Sequence, residues 1–231
     1  MNQTATEYTL SEAAFVLDRP RRAIDKAIDQ GEIDAVIRTS LRTQYGFAMK
    51  RRRARKSEAA RRAWRAIGRA ELRYLMCLHS GLYKDLNPSG RRRIYQAIKK
   101  TPLTKHRIDW HGAVLAFDGV DEALQARLKR LDELRAAIEV AGRDEPVLRG
   151  TDIPVYAIAA LTRGQTMSEI LEDYPGLTPD QVQIAADYAT AYPKAGRPYP
   201  ERSLKRMVGA LAEGGAFDAE PGEPVTIDDF R

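Results

Sequence analysis

The stretch Val147–Pro193, VLRGTDIPVYAIAALTRGQTMSEILEDYPGLTPDQVQIAADYATAYP, decides how the fold is read. It opens with a short apolar strand, Val147-Leu148, and a turn at Arg149-Gly150-Thr151-Asp152. Pro154 suits the first turn of a helix, where a missing N–H costs nothing. That helix carries Val155, Ile158, Ala159 and Leu161 on one side. It is predicted to stop at Gly164, in the place glycine takes just past a helix end. Thr166-Met167-Ser168-Glu169 is a capping box that opens a second helix, with Ile170 and Leu171 facing inward. Pro175-Gly176 ends it. Thr178 caps a third helix, with Pro179 at its first position and Asp180 near its positive end. Val182, Ile184, Ala185, Tyr188 and Ala189 supply the apolar stripe. Three such helices make a small core. A chain of that size buries only about 60% of its unfolded surface, so this unit is expected to lean on a second copy or a partner.

Two motifs stand out within it: Gly150-Thr151-x-Ile153-Pro154-Val155, and Ile170-Leu171-x-Asp173-Tyr174-Pro175-x-Leu177-Thr178. On them, the run resembles the domain-of-unknown-function 433 family, over about a fifth of the chain. That resemblance implies a homeodomain-like three-helix bundle. It also implies a place among antitoxins of bacterial toxin–antitoxin pairs.

The whole chain has 231 residues, 30% charged and 43% hydrophobic, which is ordinary for a globular protein. No apolar run approaches the roughly 20 residues that span a bilayer. The N-terminus MNQTATEYTLSEAA lacks the basic-then-apolar pattern of a signal peptide. One cysteine excludes an intramolecular disulfide framework. A cytoplasmic location without membrane contact is the expectation. The charge is uneven. Residues 1–118 hold 25 Lys+Arg against 12 Asp+Glu, and residues 119–231 hold 13 against 20. The basic half suits a polyphosphate partner; the acidic half does not.

In the basic half, Thr9 with Glu12 three residues on is another capping box. Leu10, Ala13, Ala14 and Leu17 follow at helical spacing. Asp18 is predicted to cap a second helix running from Arg19-Pro20-Arg21-Arg22 through Ile24, Ala27 and Ile28, with Gly31 at its end. Two short helices joined by a tight turn read as helix-turn-helix. The segment YTLSEAAFVLDRPRRAIDKAIDQGEI resembles the helix-turn-helix of MerR-type and excisionase-type winged-helix proteins. Arg19, Arg21, Arg22 and Lys26 then stand where a recognition helix meets bases and phosphates. Ile33–Arg38 and Gln44–Phe47 flank a polar turn and are predicted to pair as a hairpin, the wing. Arg38 and Arg42 would sit at its tip, against a phosphate backbone or minor groove.

The run Lys50–Lys56, with Arg61, Arg62, Arg65 and Arg69, is basic enough for phosphate contact or for plain solvation. Its composition allows a helix, which Trp64 and Ile67 would pin to a neighbour. A helix over Leu72, Leu75, Met76 and Leu78 ends near Gly81. Asn87-Pro88 starts another, headed by Arg91, Arg92 and Arg93, and Ile108–Phe117 reads as a hairpin. The order of elements repeats that of residues 9–47. Residues 1–118 are therefore a winged-helix region, either two helix-turn-helix units (8–49 and 70–118) or one larger domain.

Residues 119–144 form a connecting helix with Leu124, Leu128, Leu131, Leu134 and Ile138 in one stripe. The small bundle occupies 145–195 and is expected to dimerise. Residues 196–231 read as a partner-binding arm, partly disordered when free. Within the arm, Leu204, Met207, Val208 and Leu211 line one side of a short helix, and Val225-Thr226-Ile227 could pair with a sheet edge.

No phosphate-binding glycine loop, dinucleotide fingerprint, H-E-x-x-H or cysteine pair is present. Cys77, His79, His106 and His111 are the soft-ligand candidates, and their spacing is poor for zinc. No catalytic residue, metal or cofactor is expected. The fold class is mainly α: a winged helix-turn-helix region with short hairpins plus a small homeodomain-like three-helix bundle. As a whole, the chain resembles a VapB-type antitoxin of a type II toxin–antitoxin system. That implies an autorepressor binding operator DNA and neutralising a PIN-domain (VapC-type) ribonuclease, as a homodimer that joins the toxin in a larger complex. Arg202, Leu204, Lys205, Arg206, Met207, Val208 and Leu211 would bind the toxin. The competing expectation is a dimeric winged-helix regulator with no toxin.

Overall fold

A computed structural model describes residues 7–39, 63–81, 83, 85–110, 112–140, 145–194 and 196–214. The protein is mainly α. The first element, β1 (Tyr8–Thr9), runs directly into α1 (Leu10–Leu17). The capping box is present: the Thr9 hydroxyl accepts from the Glu12 N–H and the Glu12 carboxylate accepts from the Thr9 N–H at 2.8 Å. Asp18 is not the cap of the second helix. It closes α1 in the left-handed conformation, φ 52°, which Asp tolerates better than most residues. The next helix, α2 (Arg21–Asp29), starts behind Pro20 with no side chain capping it. Gly31, at φ 69°, turns the chain out of it toward β2 (Val36–Thr39).

The partner of β2 is not Gln44–Phe47, which lies outside the described residues. It is β3 (Ala63–Ile67), antiparallel, with Val36 opposite Ala66 and Arg38 opposite Trp64. β3 also pairs with β1, Tyr8 opposite Ile67, and so is the central strand of the order β1-β3-β2. The helix expected over Trp64 and Ile67 is therefore a strand. Ile67 and Ala66 are buried, and two flanking strands outweigh the helix preference of Ala and Arg.

β3 leads into a second unit of the same design. α3 (Arg69–His79) begins at Gly68, whose N–H donates to Glu71 three residues on. α4 (Pro88–Lys100) is capped by Asn87, which accepts from the Gly90 N–H at 2.8 Å, with Pro88 at its first position. β4 (Arg107–Trp110) and β5 (Ala113–Ala116) form the following hairpin. The second helices share a sequence pattern, Arg-Arg-x-Ile-x-x-Ala-Ile, at 21–28 and 91–98. Ile24, Ala27, Ile94 and Ile98 are its buried positions. The region is thus a tandem of two strand–helix–helix–hairpin units that share β3.

α5 (Asp118–Ala136) crosses behind both units, burying Leu124, Leu128, Leu131 and Leu134. Arg73 of α3 is wholly buried beneath it. Its guanidinium grips Asp121 with two nitrogens, donates to the Leu103 carbonyl and lies over the Phe117 ring at 4.9 Å. β6 (Ile138–Glu139) pairs with β7 (Val147–Leu148) and opens the small bundle. The bundle consists of α6 (Val155–Leu161), α7 (Met167–Asp173) and α8 (Pro179–Ala191), with capping boxes at Thr166 and Thr178.

The bundle does not stand alone. α8 packs on α1 and α5 as well as on α6. Arg130 of α5 pairs with Asp187 at 2.7 Å, and Arg127 donates to the Val16 carbonyl of α1 at 2.9 Å. Val155, Ile158 and Leu177, apolar positions of the unit expected to dimerise, are buried in the chain's own core, and Ile153 packs against it. One apolar core runs from α1 to α8, so the small unit leans on its own N-terminal half.

After Pro193 the chain folds back over the bundle. Gly164 is not a left-handed helix terminus; a Cβ there would lie 2.6 Å from the Glu201 carbonyl oxygen, so glycine is needed for the close approach of the returning segment. α9 (Leu204–Glu213) follows, capped by Ser203. Among the described residues no helix is long and apolar enough to cross a membrane.

Candidate nucleic-acid interface and a free apolar helix

The exposed stripe of α2 and its approach carries Arg19, Arg22, Ala23, Lys26 and Gln30. Among the described residues, Arg19, Arg22 and Lys26 form no ion pair, so three cations face solvent uncompensated. The adjacent stripe is different. Asp25 pairs with Arg21 and also with Arg65 of β3 at 3.3 Å, and Asp29 pairs with Arg65 at 2.8 Å. These contacts fasten α2 to the sheet and leave the other stripe outward.

Two features of α2 work against its own stability. Arginines crowd its first turn, at the positive end of the helix dipole, where cations cost roughly 0.3–1 kcal/mol each. Its first N–H groups also have no side-chain acceptor. A phosphate oxygen at that end would satisfy both. Arg38 is placed otherwise than expected. Its guanidinium is held two-pronged by the Glu7 carboxylate, whose pKa it lowers through those hydrogen bonds. Arg38 thus anchors β2 rather than standing free at a wing tip. Arg42, the run 50–56, Arg61 and Arg62 lie outside the described residues.

In the second unit the leading arginines are also engaged. Arg91 pairs with Glu32 at 3.2 Å, and Arg92 and Lys99 both reach Asp34 at 2.6 Å. These hydrogen bonds, Lys99 first, bring the Asp34 carboxyl down from 3.8 to about 2. Tyr95 completes the clamp. Its hydroxyl accepts from the Asp34 N–H and donates to Glu71 at 2.7 Å, and burial raises its pKa well above the usual phenol value. Nothing in the spacing of these residues pointed to the clamp, because its partners are about sixty positions apart.

The second candidate surface is α9. Leu204, Met207, Val208 and Leu211 are 76, 41, 46 and 52% exposed, so its apolar side is uncovered. The N-terminal end of α9, by contrast, is fastened. The Ser203 hydroxyl donates to Asp173 at 2.6 Å, its N–H donates to Gln165, and Gln165 donates to the same carboxylate. These bonds, Ser203 first, hold the Asp173 carboxyl below its usual range. Arg206, expected to reach toward a partner, is instead committed to Asp173, Glu169 and Glu172. Lys205 stays 68% exposed, 3.7 Å from Asp173, and Arg202 is exposed. The tail 215–231, with Val225–Ile227, lies outside the described residues.

The soft-ligand candidates are scattered. Cys77 is buried, and that burial pushes its thiol up to about 11. His79 is also held below its usual pKa by burial and by Arg19, while His106 sits 2.7 Å from Asp121. His111 lies outside the described residues. Among the described residues no group of three or more His, Cys, Asp or Glu could hold a metal ion.

Residues 143–189 match the family model "Protein of unknown function (DUF433)". The match covers the strand-led three-helix bundle and stops short of α9. The chain is also 34% identical over 117 residues to a protein of Sinorhizobium fredii described as "Uncharacterized protein y4eO", an alignment covering 47% of this chain and 49% of that protein. The chain thus spans about half the length of that relative. No solved structure matches it.

Proposed function

We propose that the protein is an antitoxin of the VapB type. It binds DNA through the outward stripe of α2 and neutralises a PIN-domain ribonuclease through α9. The observation that carries this reading is the presence of two surfaces that have no partner among the described residues: the cations Arg19, Arg22 and Lys26, and the apolar side of α9. The bundle matched to a family of unknown function lies between α2 and α9 along the chain.

The partner side follows from α9. Each of Leu204, Met207, Val208 and Leu211 would contribute about 1.5–3 kcal/mol if fully buried in an apolar groove, against the cost of association. Because Ser203 and Arg206 hold the first turn, little of α9 has to be ordered on binding. Groove occlusion is therefore favoured over insertion of Arg206 into the nuclease's carboxylates. Lys205 and Arg202 remain available at the rim.

The test is co-expression of the full chain with the product of the adjacent reading frame. The reading expects a stable complex with a small nuclease, which binds the DNA upstream of the operon with an affinity that falls as salt rises. A neighbour that is no nuclease, or that does not co-purify, contradicts the antitoxin half. It would leave a DNA-binding regulator whose α9 covers a second copy.

A further inference from the structure

We propose that α4 presents a second duplex-DNA contact surface, so that one chain reads two adjacent segments of the same duplex. This rests on the reading of α2 as a DNA-binding helix. The two units share strand β3, their capping glutamates and the Arg-Arg-x-Ile-x-x-Ala-Ile pattern. Superposing that pattern places Ala23, Lys26 and Gln30 of α2 at Arg93, Gln96 and Lys100 of α4. The corresponding stripe of α4 also points away from the core. Arg93 and Lys100 are exposed, Gln96 is half-buried, and Ser89 is exposed at the helix start.

The units have divided the cations differently. In α2 the outward stripe keeps Arg22 and Lys26, and Arg21 is turned aside to Asp25. In α4 the neighbouring stripe gives Arg91, Arg92 and Lys99 to Glu32 and Asp34. Arg93 and Lys100 form no ion pair among the described residues. The carboxylates facing this end of α4, Glu32, Asp34 and Glu71, are all occupied by the clamp, so they do not cancel those two charges. Lys105 and Arg107, exposed before and on β4, extend the positive surface toward the hairpin; Arg107 is only 3.8 Å from Asp118 in a loose surface pair.

The clamp also has a geometric consequence. Glu32 and Asp34 lie in the chain just after α2, and Arg91, Arg92 and Tyr95 lie in α4. Six side chains, those five and Lys99 of α4, together with the Asp34 N–H therefore lock the two helices in a fixed relation. A rigid pair of helix-turn-helix units meets a duplex as one extended footprint, not as two independent modules. The site read by one chain is then two different half-sites in tandem, with no palindrome required within it.

The experiment uses the full chain and a duplex of about four helical turns, roughly 42 base pairs, taken from upstream of its own reading frame. Binding is measured across a salt series and by footprinting for three proteins: wild type, Arg93→Ala with Lys100→Ala, and Arg22→Ala with Lys26→Ala. All four positions are exposed, so folding should be unaffected and melting temperatures should agree. Each double variant removes two cations, and the slope of log K against log salt should fall by about 1.8 in each. The footprint should shorten at one end for one variant and at the other end for the other. An α4 variant with unchanged slope and footprint, beside an impaired α2 variant, overturns the second surface and leaves the α2 reading intact. An impaired α4 variant beside an unimpaired α2 variant overturns the α2 reading and with it the tandem. Wild type that ignores the DNA duplex, or prefers an RNA duplex of the same length, overturns both.

Discussion

Tyr192, at the end of the small bundle, donates a 2.6 Å hydrogen bond to Glu12 in the first turn of α1, 180 residues away. The same phenol accepts from Arg135 Nε at 2.8 Å, and Arg135 Nη2 reaches the same Glu12 oxygen at 2.7 Å. The other Glu12 oxygen completes the helix cap at Thr9. One carboxylate therefore caps a helix start and joins three parts of the chain: the first strand–helix–helix unit, α5 and the bundle.

Tyr192→Phe removes the donor to Glu12 and the acceptor of Arg135 while keeping the ring. The cost should be about 1–3 kcal/mol, because these groups have little access to water. For a domain of this size each kcal/mol lowers the melting temperature by about 2–4 °C. Glu12→Ala should cost more, since it also loses the cap and the Arg135–Glu12 pair; the remaining pair with Asp132 and the partial exposure of Arg135 limit the excess. The two changes share partners, so the double variant should fall short of the sum. Additive losses in thermal melting would show that the three groups do not act as one network.

Gly164→Ala tests the seat of α9. The added Cβ meets backbone at Glu201, which cannot swing aside as a flexible side-chain tip could. The segment 200–206 should lift, weakening the Ser203 bonds to Gln165 and Asp173. Hydrogen exchange should quicken over Ser203–Met207, while α8 stays protected. Unchanged exchange at those amides would mean that the close approach does not hold α9.

Asp34 gives a pH signature. Its carboxyl is held down to about 2 in the folded protein, so on acidification the unfolded chain takes up the proton first. The stabilisation is complete above about pH 4 and fades as the pH falls toward 2. Because Asp34 is 42% exposed, solvent screening keeps the contribution to about 1 kcal/mol or less. Asp34→Asn should be less stable than wild type at pH 7, and the two should converge near pH 2. A gap that stays constant between pH 7 and pH 2 in denaturant midpoints would contradict the clamp.

Local chemistry carried the sequence reading furthest. Thr9–Glu12, Asn87-Pro88, Thr166–Glu169 and Thr178-Pro179 each mark a helix start within four residues, and the structure begins a helix at each. The four leucines of α5 and the exposed stripe of α9 are legible for the same reason, because a helical face is written at short spacing. β3 was hidden. Its residues favour a helix locally, and its strand state comes from β1 and β2, whose pairing no short window contains. The ion pairs were hidden likewise. Glu7 for Arg38, and Asp173 for Arg206, take up cations that look free along the chain. Sequence spacing could find the stripes of α2 and α9; only the packing tells which cations remain unspent on them.

The most direct measurement is RNA cleavage by the purified product of the adjacent reading frame, which the proposal requires to be a PIN-domain nuclease, with and without the protein in excess. Wild type should abolish cleavage. The full chain carrying Leu204→Asp and Leu211→Asp should fold and bind DNA as wild type does, since both side chains are exposed, yet leave cleavage running. Cleavage that proceeds unchecked with wild type, or that the double variant stops as completely, would contradict neutralisation through α9.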